Sequence, residues 1–147
     1  MVYILTSSGN PVKVVVRLQE ARLGDPSSSA KLHPSLAKKL TNETLQEQQT
    51  FLNDAALAAY VSLNTVDQDN RFLASIKYET EELNFIKGSS SSGLANALGL
   101  FNAYWTTLLR KGIGFNAPVF ATGEINRNGA ISPIGHLDSK LKSVLTF

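Results

Sequence analysis

The sequence predicts an α+β domain with mixed sheet strands packed against helices, and three observations carry that reading. Residues 12–18 form a β-branched run, and residues 71–80 alternate with Phe72, Ala74, Ile76 and Tyr78 on one side, the period of a half-buried strand. Residues 44–63 and 92–109 instead repeat apolar side chains at spacings of three and four, which places them on one face of a helix. The chain has 147 residues, 43% hydrophobic and 18% charged, enough for one domain with a real core.

Taken in order, Val2 to Leu5 reads as the hairpin partner of the 12–18 strand, with Ser8-Gly9-Asn10-Pro11 as the turn. Residues 24–29, Gly-Asp-Pro-Ser-Ser-Ser, read as a loop, and residues 32–40 as a short helix after Pro34. The first long helix is expected over 44–63. Thr44 and Glu47 fit a capping box, and Leu45, Leu52, Ala56, Ala59 and Leu63 form its buried face. Residues 67–70 form a turn into the 71–80 strand, and residues 83–86 form a further short strand. The second long helix, 92–109, carries Leu94, Ala97, Leu98, Phe101, Trp105 and Leu108 on a wide apolar face, which predicts a central place in the core. Gly112 and Gly114 end it. Val119-Phe120-Ala121 is a short strand, Asn126 to Gly129 a hairpin turn, Ile131 the return, and a last helix starts near Leu137 with Leu137, Leu141, Val144 and Leu145 as its buried stripe.

Composition removes several classes of function. Net charge is +2 with the basic residues scattered, so the dense basic stripe of a nucleic-acid binder is missing. There is no cysteine, which excludes disulfides, thiol catalysis and cysteine-bound metal. Two histidines, His33 and His136, do not make a histidine-rich metal site. The opening Met1 to Leu5 is too short and lacks the basic start of a signal peptide, and no apolar run approaches the ~20 residues of a membrane span. No nucleic acid and no membrane partner is expected, and the expected location is cytoplasmic.

Two segments carry chemistry. Gly88-Ser89-Ser90-Ser91-Ser92-Gly93 opens the second long helix. A helix start presents unpaired N–H groups and a partial positive charge, so a serine there lies beside donors suited to an oxyanion. Serine and glycine are also simply what turns use. Lys140 lies at the edge of the last helix's apolar stripe. An ordinary lysine has a pKa of ~10.4 and is protonated at neutral pH, but partial desolvation lowers that value and frees a lone pair. Lys142 falls on the other face and reads as solvated.

Together, Thr122-Gly123-Glu124-Ile125, Gly129, Pro133-Ile134-Gly135, Leu137 and Lys140-Leu141 resemble the C-terminal motif of the Lon protease proteolytic domain. The resemblance runs from about Phe72 to Leu141. It implies a Lon-type peptidase fold over 1–147, ending before the family's last strand and helix. It implies a serine endopeptidase with a Ser–Lys dyad in which Lys140 is the general base and Ser91 the nucleophile, with Ser90 and Ser92 as the neighbouring registers. Thr122, whose hydroxyl helps hold the lysine, Ser92 and Gly93 are the implied supporting residues. The sequence departs from the family pattern in having Ser90 for proline, Lys87-Gly88 for the polar lead-in, His136 for a second glycine, and a Ser91-to-Lys140 separation of 49 positions, slightly more than usual.

The resemblance further implies no metal or cofactor in this domain, an unfolded or specific protein as substrate, and a homo-oligomer, often a hexameric ring. No GxxxxGK[ST] loop occurs, so ATP-dependent proteolysis would need an ATPase module elsewhere. Two other readings stand beside this one. A catalytically silent Lon-fold module would bind or oligomerise only. A small-molecule kinase of the galactokinase and homoserine-kinase type would use residues 88–95 as a phosphate loop.

Overall fold

Runs of β-branched residues stabilise extended chain only when they pair, and here they pair into one mixed sheet. The computed structural model describes residues 1–6, 10–20, 29–61, 72–80, 91–109, 117–132 and 137–145. Strands β1 (Val2–Ile4), β2 (Val12–Glu20), β3 (Ser29–Leu32), β4 (Phe72–Tyr78) and β5 (Val119–Ala121) form a five-stranded sheet in the order β3-β4-β2-β1-β5. The pairs β1–β2 and β2–β4 are antiparallel, whereas β3–β4 and β1–β5 are parallel. Register places Val14 opposite Tyr78, Val16 opposite Ile76 and Leu18 opposite Ala74, so the apolar positions of both strands share a face.

That face is covered by α2 (Asn42–Val61) and α3 (Gly93–Leu109), with Val2, Ile4, Val14, Leu32, Leu52, Ala56, Ile76, Tyr78 and Leu100 in the core. The other face carries Lys13, Arg17 and Lys77, with Tyr3 stacked on its register partner Phe120. A four-residue helix, α1 (Pro34–Ala37), follows β3, and a two-stranded hairpin of β6 (Glu124–Ile125) and β7 (Ile131–Ser132) follows β5. Its turn is held by Asn126, whose Oδ1 accepts from the amides of Asn128 and Ala130, with Gly129 at φ +84°. The last helix is α4 (Leu137–Leu145). The expected mixed α+β architecture is therefore present.

Several local expectations are corrected. The 24–29 loop does not extend through Ser29, because β3 begins there as a parallel edge strand on β4. Leu32 accordingly ends a strand, and the short helix expected within 32–40 is α1, capped by the His33 side chain accepting from Ser35 N–H at 3.1 Å. Gln49 of α2 covers the β3 edge by donating to the Ala30 carbonyl at 2.7 Å. Helix α2 is capped by Thr41 rather than Thr44: Thr41 Oγ1 accepts from the Thr44 amide at 3.3 Å, three residues upstream of the expected cap.

In α3 the buried side chains include Ala95, Asn96, Ala97, Leu100 and Tyr104, while Leu94, Leu98, Phe101 and Trp105 are half-buried at the margin. A Cβ at Gly99 would stand 3.3 Å from Val14 Cγ1, so α3 meets β2 at a position without a side chain. In α4, Leu141 and Leu145 are 49% and 85% exposed while Lys140 is 6% exposed, the reverse of the expected stripe. The lysine side chain meets hydroxyl partners that only an inward rotation can reach. The expected turns and strand at 8–9, 67–70 and 83–86, with Leu63, Gly112 and Gly114, lie outside the described residues. Among the described residues no helix is long and apolar enough to cross a membrane.

Candidate active site

Three separate elements converge at the start of α3. Ser91 lies in the turn that opens the helix, Thr122 follows β5, and Lys140 comes from α4. The Lys140 ammonium group donates to Ser91 Oγ at 3.1 Å and to Thr122 Oγ1 at 3.2 Å. The hydroxyl it reaches is that of Ser91. Ser92, the neighbouring register, is buried at the helix start, and Ser90 lies outside the described residues, as do Pro133, Ile134, Gly135 and His136.

Local sequence explains why the three meet. Gly123 N–H donates to the Ser91 carbonyl and the Gly123 carbonyl accepts from Leu94 N–H, both at 2.9 Å, so the β5–β6 connection is bridged to both sides of the helix start. Gly123 has φ +154°, a conformation essentially confined to glycine, and Thr122 is thereby held beside the serine. Gly93 is needed for a different reason. A Cβ there would lie 3.2 Å from both the backbone nitrogen and Cγ2 of Ile125. The Thr-Gly-Glu-Ile stretch and the serine turn thus fit as two halves of one clasp.

The electrostatics follow from burial. Desolvation lowers the Lys140 pKa from the ordinary lysine value, because burial penalises the charged form. The Leu94 amide is engaged by Gly123, which leaves the Ser92 and Gly93 amides at the positive end of α3 without a hydrogen-bond partner among the described residues. A serine hydroxyl, an amine of lowered basicity and the amides at the positive end of a helix can together perform nucleophilic acyl transfer. Among the described residues no three His, Asp or Glu side chains gather as a metal site would require.

The sequence reading missed one neighbour of this site. Asn96, 1% exposed, accepts from the Tyr78 hydroxyl at 3.0 Å beneath the first turn of α3. Its signal was available as an amide between Ala95 and Ala97 on a helix expected to be central. Compared with known proteins, the chain matches no family model and no curated protein.

Proposed function

We propose that this chain is a serine endopeptidase with a Lon-type fold, in which Ser91 and Lys140 form the catalytic dyad. The observation that carries the reading is the buried Lys140 Nζ, 3.1 Å from Ser91 Oγ, reached from residues 49 apart in sequence. Neutral Lys140 takes the Ser91 hydroxyl proton as Oγ bonds to the peptide carbonyl carbon. The Ser92 and Gly93 amides receive the oxyanion. The C–N bond breaks as Lys140 returns the proton to the leaving amine, which leaves an acyl-Ser91 ester. Lys140 then deprotonates water, whose oxygen bonds to the acyl carbon; the ester C–O bond breaks, Lys140 returns the proton to Ser91 Oγ, and the carboxyl product leaves. Thr122 accepts one amine hydrogen and so aims the nitrogen lone pair at Ser91. The substrate is an unfolded or specific protein, and the dyad needs neither metal nor cofactor.

Casein hydrolysis by the whole chain tests this. Ser91→Ala and Lys140→Ala are expected to reduce the rate by at least about a hundredfold, the usual scale of a positioned general base. Equal rates in all three proteins would refute the assignment.

A further inference from the structure

We propose that the buried Tyr78–Asn96 pair is the positioning device of the nucleophile turn, fixing where α3 begins relative to the sheet. The inference rests on the peptidase reading of Ser91 and Lys140 and assigns two residues that do not themselves touch the reacting atoms. Asn96 is an unfavourable choice for its place. It is 1% exposed, in the interior of a helix whose neighbouring positions are apolar, where leucine of similar size would pack without needing a partner. Its carbonyl oxygen accepts from Tyr78 Oη at 3.0 Å, and Tyr78 is itself 2% exposed.

The location explains what such a bond does. Asn96 N–H donates to the Ser92 carbonyl at 3.0 Å, so Asn96 closes the first turn of α3, and a helical side chain leans back over the turn before it. Tyr78 is the last residue of β4, and the chain runs from it to Ser91. The Tyr78–Asn96 bond therefore ties the two ends of that connection together under the serine. Gly123 holds the same turn from the other side through Ser91 and Leu94. Apolar packing alone constrains a helix weakly along and about its axis, whereas a buried directional bond selects one setting. A dyad at 3.1 Å gives that setting consequence, because misplacement by about 1 Å costs on the order of a hundredfold in rate.

Tyr78→Phe, Asn96→Leu and the double variant test this in the whole chain. Each single variant removes one side of the buried Tyr78–Asn96 bond and is expected to melt lower. The double variant removes both groups and is expected to regain most of that loss. All three are expected to lower kcat about 10- to 100-fold, with KM within about twofold and the pH limb set by Lys140 unmoved. A double variant with wild-type kcat would overturn the proposal, as would a kcat loss that tracks melting temperature across the three. Hydrogen exchange supplies a readout that needs no activity. Protection of the Leu94 and Asn96 amides is expected to fall in the double variant although its melting temperature is restored. Unchanged protection would overturn the proposal even if Ser91→Ala showed the peptidase reading itself to be wrong.

Discussion

Gly123→Ala perturbs the clasp at its hinge, and its cost can be worked from geometry. Alanine at φ +154° meets a backbone penalty of about 1–3 kcal/mol. The new Cβ would stand 3.2 Å from Ile131 Cγ2 and 3.4 Å from Leu94 Cδ2. Ile131 is 58% exposed and can rotate away, so the steric part adds at most about 1 kcal/mol. The chain can instead relax φ by surrendering the bonds to Ser91 and Leu94, each worth about 0.5–1.5 kcal/mol net. Both routes converge on a destabilisation of about 2 kcal/mol, or roughly 4–8 °C in melting temperature for a chain of this size. Denaturant unfolding with an unchanged slope measures it. Gly129→Ala, at φ +84° with open space around its Cβ, is the reference and is expected to cost about 1 kcal/mol. A Gly123→Ala protein as stable as wild type would refute the claim that this backbone position holds the site.

Lys140→Met is expected to melt higher than wild type near neutral pH. Burial lowers the lysine's folded-state pKa below its unfolded value of 10.5, so between the two the unfolded chain binds more protons and wild-type stability rises with pH. The advantage of methionine should therefore shrink as melts are repeated at rising pH through that window. Thr122→Val removes an acceptor that favours the ammonium. The Lys140 pKa should fall further, moving the acidic limb of the pH–rate profile to lower pH while kcat drops about tenfold, as judged by casein hydrolysis. Gly99→Leu is expected to destabilise by about 2–3 kcal/mol in urea unfolding, because its side chain must displace Val14 and Val16. Gly99→Ala should stay within about 1 kcal/mol of wild type, since better helix propensity offsets the tight contact.

How far the sequence could be read depended on how local each cause was. Strand β4 was legible because its alternation continues through Ala74, Ile76 and Tyr78, all of which are buried. The α3 boundaries were legible from the serine turn that opens it and the apolar repeat that follows. Strand β3 was not, because four residues preceded by serines gain their pairing from β4, whose register partners lie 44 positions later. The rotation of α4 was hidden for a similar reason. Hydropathy ranks Leu141 and Leu145 above Lys140, and only the positions of Ser91 and Thr122 reverse that order. The serine and lysine motifs indicated which side chains meet. The Tyr78–Asn96 bond beneath them joins residues from two elements whose packing the sequence alone does not specify.

Strand β1 has one partner near it in sequence and one far away: Val2 lies opposite Val14 on one side and Val119 on the other. On the ribosome this becomes an ordering in time. At ~5–20 residues per second, the side of β1 that receives β5 waits on the order of ten seconds for its partner. Ser91 is added to the chain during that wait, before Thr122 and Lys140. A nascent chain therefore carries the hydroxyl without the amine, and whatever the pair does is withheld from the polypeptides crowded around its own synthesis.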